Sequence, residues 1–236
     1  MGKSIMSENN LMHYAPKNVI GRFYIYGQVG ESSNYIQLIE ALRNAQEGDE
    51  IHIHIDSCGG YLYTAVSIIH AIWATNGHVV THADGECSSA GSLLLFSGHS
   101  INVNPLAHVM VHDGSYGNQD KMSTMKITAD AAHKHLNEVY RVVYGPFFSD
   151  DEMDEILKGV DVYMMADEVL ARIEQAIQNQ RDQEEMLVGE GIEENIEGLI
   201  TFSKNEVPED LVCPQCGRTA RSEDSYLRNH GINCRG

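Results

Sequence analysis

Apolar positions along the chain switch repeatedly between a period of two and a period near 3.6. Arg22 to Val29 is β-branched and aromatic and predicts a strand. Ser33 then opens a helical pattern with Ile36, Ile39 and Leu42 on one face, closing near Gly48. Ile51, Ile53 and Ile55 alternate with His52 and His54, which predicts a strand with one buried face. A Gly59-Gly60 turn follows, then a helix from Leu62 to about Thr75, with Gly77 placed to cap it.

The same alternation continues downstream. Val79 to Ala83 predicts a third strand, Ser89 to Phe96 an apolar helix, and Val103 and Val109 to Val111 further strand pieces. Met125 to Tyr144 reads as a long helix. Ser149-Asp150-Asp151-Glu152 is a capping box opening a short helix that Gly159 can close. Asp161 to Tyr163 is extended, and Ala166 to about Gln180 is helical. Strand, turn and helix in repetition predict an α/β fold of right-handed βαβ units around a largely parallel sheet.

Both ends differ from this body. Residues 1–17 are polar, lack periodicity and predict a flexible N-terminal segment ahead of a domain at 18–181. From Asp182 to Leu199 there are seven acidic residues and no basic one, interrupted by Gly189, Gly191 and Gly198. An acidic linker over 182–208 is expected, followed by a small module at 209–236.

Charge and composition narrow the function. With 16 Lys+Arg against 34 Asp+Glu, the 236-residue chain carries a formal charge of −18, the wrong sign for neutralising phosphates. Nucleic acid is therefore not the expected partner of the body. No stretch has the roughly 18–20 apolar residues that a bilayer crossing needs, and residues 1–17 lack the apolar core of a secretory signal. A cytoplasmic protein with no membrane association is the expectation.

Three segments carry candidate chemistry. Ile55-Asp56-Ser57-Cys58-Gly59-Gly60 ends in paired glycines, whose backbone amides can approach an anion with no Cβ in the way. Gly85-Glu86-Cys87-Ser88-Ser89-Ala90-Gly91 places serines between a strand and a helix, where a hydroxyl meets the positive end of the helix dipole. His112 ends the strand Val109-Met110-Val111 and precedes Asp113-Gly114-Ser115. Separately, each has an ordinary structural explanation: a tight turn, an N-cap, a strand boundary.

In this order and spacing, with 23 residues from Ser89 to His112, they resemble the proteolytic subunit of the Clp protease, ClpP. The resemblance covers roughly residues 20 to 175. It implies the ClpP/crotonase fold and a serine endopeptidase. Ser89 matches the nucleophile and His112 the general base. Asp161 matches the acid by its place before an extended segment and a helix start, with Asp113 and Asp167 as rivals. The oxyanion hole falls on the amides of Gly60 and Ala90. The resemblance further implies a homo-oligomeric ring, heptameric and in some cases stacked, fed with polypeptide substrates by a Clp-type ATPase. The chain itself has no Gly-x-x-x-x-Gly-Lys-Ser/Thr loop for ATP. Two departures stand out: Asp56-Ser57-Cys58 replaces the usual Asn-Ser-Pro, and Val160 stands where an arginine often supports ring stacking.

Other readings stay open beside it. Cys87 is an alternative nucleophile, and Lys121 or Lys126 could form a serine–lysine dyad. A specialised processing protease working without an ATPase, a non-catalytic ring subunit that recruits partners, and an acyl-CoA enzyme of the crotonase type are the alternatives in function.

The C-terminal module has its own pattern. Cys213-Pro214-Gln215-Cys216, thirteen residues, His230, three residues and Cys234 have zinc-ligand spacing. Three thiolates and an imidazole predict a closed structural zinc site, whose ligation would supply most of the folding free energy of so small a module.

Overall fold

The computed structural model describes residues 20–117, 119–189, 211–212 and 219–220. The chain divides into two units, one ending at Ile177 and the other beginning at Gln178. Residues 1–17 and the four candidate zinc ligands lie outside the described residues.

The first unit is built on one six-stranded sheet. Strands β1 (Ile20–Val29), β2 (Glu50–Gly60) and β3 (His78–Ser88) run parallel in that order. The far half of the sheet splits β3 between two partners. β4 (Ser100–Val103) pairs in parallel with Val80 to Ala83, and β5 (His108–Val111) pairs in parallel with Glu86 to Ser88. β6 (Val162–Met165) then pairs antiparallel with β5 and closes the order β1-β2-β3-β5-β6.

The sheet alternates as its sequence dictates. Ile51, Ile53 and Ile55 of β2 are buried, while Glu50, His52 and His54 point to the opposite face. On that open face His54 stacks on His82 with ring centres 4.3 Å apart, and His52 Nδ1 lies 2.7 Å from His82 Nε2.

The buried face is covered by α1 (Ile36–Asn44), α2 (Leu62–Trp73) and α3 (Ala90–Phe96). α3 is buried at all seven positions, so it can be apolar all round without exposing any of it. Leu93, Leu94 and Leu95 are buried on α3, which packs against both the sheet and α2, and removing one to alanine would cost about 2–5 kcal/mol. The long α4 (Met122–Tyr144) buries Leu136, Tyr140, Val143 and Tyr144 against this core. α5 (Asp150–Leu157) and α6 (Ala166–Gly189) follow.

Several local expectations hold and a few are displaced. The Ser149–Glu152 capping box forms in both directions, and Gly159 adopts φ +100° beyond α5. Gly77 is not the cap of α2. That helix ends at Ala74, whose N–H bonds to the carbonyl of His70, and Gly77 instead lets the chain pass Ala45, whose Cβ would stand 2.9 Å from an added one. Ser32–Tyr35 is a 3₁₀ turn ahead of α1, which rotates the helix so that Leu38 and Leu42 are buried and Ile36 is exposed. Gly59 and Gly60 do not form a separate turn, since both remain paired with β1 as the last residues of β2. α6 runs beyond Gln180 to Gly189.

In the second unit, the described residues are the end of α6 and a short antiparallel pair, β7 (Leu211–Val212) with β8 (Thr219–Ala220). Cys213-Pro214-Gln215-Cys216 falls in the segment joining them.

Candidate active site

Ser89 sits between β3 and α3, and its backbone is unusual. At φ 55°, ψ −123° it is the one non-glycine residue with positive φ among those described. A side chain in that region costs about 1–3 kcal/mol, so the surrounding structure must hold it there. Two anchors do so. The Ser89 N–H donates to the carbonyl of Met110 on β5 at 2.9 Å, and its carbonyl accepts from the amide of Ser92 in α3 at 3.0 Å. The strand therefore turns sharply into the helix, with the serine at the corner.

The glycine pair of β2 makes room for this corner. Gly59 has φ +95°, and a Cβ there would stand 2.5 Å from the Cβ of Ser89 and 3.1 Å from the amide nitrogen of Ala90. A Cβ on Gly60 would overlap the carbonyl oxygen of Val29. Only glycine lets β1, β2 and the corner approach this closely.

A cavity of about 770 Å³ opens in front of the corner. Ser89, Ala90, Gly60 and His112 all line it, together with Cys58, Tyr61 and residues of α4 that include Leu136 and Tyr140. Four of the five residues singled out for acyl-transfer chemistry thus meet in one space, although they come from three separate segments.

Asp161 does not line this cavity and is exposed. Its backbone is nevertheless placed by the sheet. The last ladder pair between β5 and β6 is Val111 with Val162. His112 and Asp161 are the next residues outward, so the register carried one step further sets them opposite each other. The side chains of Ser89, His112 and Asp161 are not hydrogen-bonded to one another in this structure. Catalytic hydrogen bonds are often long before substrate binds. Of the rival acids, Asp113 accepts a hydrogen bond from the amide of Gly114 at 2.9 Å, and Asp167 lies in the first turn of α6.

The alternative nucleophile and bases fare differently. Cys87 is fully buried, and burial together with the charges of Asp56, Asp84 and Glu86 pushes its thiol up to about 12. It would be a neutral thiol at any working pH and a poor nucleophile. Lys121 and Lys126 are exposed and do not line the cavity.

Some contributors carry no motif that would reveal them. Asp56, in β2, holds the last part of β3 by accepting the amide of Glu86 at 2.9 Å. Ser92 donates to the carbonyls of Ser89 and Met110, and Tyr140 donates to the carbonyl of His112. Apart from the local bond of Ser92 to Ser89, these contacts reach backbone groups distant in sequence, so no local spacing announces them. Among the described residues, no group of three or more His, Cys, Asp or Glu side chains is placed to hold a metal ion. No helix among them is long and apolar enough to cross a membrane.

The mixed sheet thus carries a serine at a strained strand-to-helix corner, and that serine and a histidine line the same cavity. The Clp protease family profile matches residues 22–172, well over half of the chain, and the chain belongs to that family. Among curated proteins it is similar to ATP-dependent Clp protease proteolytic subunits from two strains of Bacteroides fragilis and from Bacteroides thetaiotaomicron. Each is 28% identical over 142 residues, which is 56% of this chain. The aligned part covers 69% of the first relative and 64% of the other two.

Proposed function

We propose that this protein is a serine endopeptidase with Ser89 as nucleophile, His112 as general base, Asp161 as the orienting carboxylate and the amides of Gly60 and Ala90 as the oxyanion hole. The observation that carries the reading is the backbone of Ser89. A strained serine held at a corner, facing a cavity that His112 also lines, is costly to maintain and has a chemical use.

The chemistry follows from the residue types. As the Ser89 Oγ attacks a peptide carbonyl, the His112 imidazole takes its proton, because an unassisted hydroxyl is a weak nucleophile. The carbonyl oxygen becomes an oxyanion, and two backbone amides directed at it would supply about 3 kcal/mol each. His112 then returns the proton to the leaving amine. Water repeats the sequence on the acyl-enzyme and releases the acid. A carboxylate at the other ring nitrogen would fix the histidine tautomer and stabilise the imidazolium.

Two further elements belong to this reading. The relatives are named ATP-dependent proteolytic subunits, which supports a ring that receives polypeptide from a separate ATPase. The C-terminal Cys213, Cys216, His230 and Cys234 would hold one structural zinc. Three thiolates and an imidazole suit that ion, and the β7–β8 pair brackets the first two ligands as a knuckle would. The locally basic module, with Arg218, Arg221, Arg228 and Arg235, would dock a protein partner or a substrate.

The test is fluorophosphonate labelling of the full chain with peptide mass spectrometry, comparing wild type and Ser89→Ala. Labelling confined to Ser89 is expected. A folded wild-type protein that takes no label, alone or with a Clp-type ATPase added, would overturn the enzymatic reading in favour of a recruiting subunit.

A further inference from the structure

Behind the cavity, α4 presents two buried tyrosines one turn apart. Tyr140 and Tyr144 are 2% and 0% exposed, and their rings meet edge to face with centres 5.0 Å apart. Each hydroxyl reaches toward a different catalytic segment. Tyr140 Oη donates to the carbonyl oxygen of His112 at 2.8 Å. Tyr144 Oη lies 2.8 Å from Ser92 Oγ and 3.5 Å from the carbonyl oxygen of Ser89. Ser92 Oγ in turn lies 2.7 Å from the carbonyl of Ser89 and 3.0 Å from that of Met110.

We propose that Tyr140 and Tyr144 are positioning residues, which fix the peptide planes of His112 and Ser89 from α4 and so make the geometry of the reacting pair depend on where that helix sits. The inference rests on the assignment of Ser89 and His112 given above.

His112 is the first residue past β5 and opens the segment leading to α4, beyond the last ladder pair. Rotation of its peptide plane swings the imidazole relative to Ser89. A hydrogen bond from a rigid, buried ring suppresses that rotation. Ser89 has the converse problem, because its positive φ is uphill and relaxation would turn its hydroxyl away from the cavity. The Tyr144–Ser92 pair anchors the carbonyl at that corner. A misplacement of about 1 Å at reacting atoms can cost about a hundredfold in rate. Burial pushes both phenols upward, with the charge of Asp113 adding to Tyr140, so both remain protonated hydrogen-bond donors across the working pH range.

Removing either hydroxyl while keeping its ring isolates the effect. Full-length Tyr140→Phe and Tyr144→Phe are compared with wild type by the kinetics of fluorophosphonate labelling at Ser89 across pH, with Tyr26→Phe on the opposite sheet face as a control. The maximal labelling rate should fall about tenfold to a hundredfold in either variant, with reagent affinity changed less than about twofold. Thermal melts separate loss of folding from loss of alignment. Labelling at Ser89 with wild-type rate in both Phe variants overturns this inference alone. Wild-type labelling at a residue other than Ser89 overturns the assignment beneath it.

Discussion

Gly59 lies so close to Ser89 that a Cβ on it would stand 2.5 Å from the Cβ of the serine. The contact joins the end of β2 to the corner after β3, so the glycine pair and the serine form one device although 29 positions separate Gly59 from Ser89. Gly59→Ala should both strain the backbone at φ +95° and push the corner out of place. A loss of about 1–3 kcal/mol in stability is expected, together with at least a tenfold drop in Ser89 labelling. Unchanged labelling in a folded Gly59→Ala protein would show that the corner tolerates the displacement.

The sheet register sets Asp161, the acid that the family resemblance implies, opposite His112, one step beyond the Val111–Val162 pair. Asp161→Asn should lower peptide cleavage by about two to four orders of magnitude while leaving the fold intact, because the histidine loses the partner that fixes its tautomer. Asp167→Asn should retain most activity. Steady-state cleavage of a small fluorogenic peptide checks both, and a large loss in Asp113→Asn with none in Asp161→Asn would move the acid to Asp113.

Two histidines make stability depend on mildly acidic pH. Burial lowers the pKa of His99, helped by His78, and its Nδ1 must stay unprotonated to accept the amide of Val79 at 2.9 Å. Burial also lowers His82, helped by the neighbouring His54 and His52. Both folded-state values lie below the ordinary value of about 6.5, so the unfolded chain takes up protons first as pH falls. The stability these groups contribute is fully present above about pH 6.5 and is lost progressively below it. Urea midpoints should therefore be lower at pH 5.5 than at pH 8, and His99→Asn should flatten that dependence.

Glu152 behaves in the opposite sense. Its hydrogen bonds to Arg172, and then to the backbone and hydroxyl of Ser149, hold its carboxyl down to about 2 against the cost of burial. Its contribution is present above the ordinary glutamate range and lost as pH falls toward 2. Because the side chain is 43% exposed, solvent screening limits the worth of the ion pair. Glu152→Gln should cost about 1 kcal/mol or less, mostly through the lost charge partner of Arg172, because glutamine can still close the capping box, measured by thermal melts at neutral pH.

The C-terminal ligand set predicts one zinc per chain by elemental analysis of the purified full-length protein. Cys213→Ser or Cys234→Ser should lower that content and expose the module to proteolysis. Deleting residues 205–236 should leave small-peptide cleavage within about twofold, since module and cavity share no residue in the proposed chemistry. Loss of small-peptide cleavage would contradict a docking role.

Much of the architecture was written in short-range pattern. Alternation at Ile51, Ile53 and Ile55 defined a strand with a buried face, and the Ser149–Glu152 spacing defined a helix start, because both depend on neighbours within a few residues. Ser89, His112 and the glycine pair were also legible as segments of the right residue types. Their meeting in one cavity was expected from the family resemblance alone and from no local pattern, since it depends on β3 dividing its edge between β4 and β5 and so carrying Met110 and His112 to the serine corner. Gly77 shows the limit from the other side: its place after a helix suggested a cap, but close packing against Ala45 decided its role. Tyr140 and Tyr144 had no sequence signal beyond helical spacing, because what they bond is backbone more than twenty-five residues away. Sequence by itself determined the elements and the chemistry available. Tertiary structure alone decided which carbonyls those hydroxyls reach and which residue the sheet register sets opposite His112, because strand register and helix packing are set by the whole core and not by any local run.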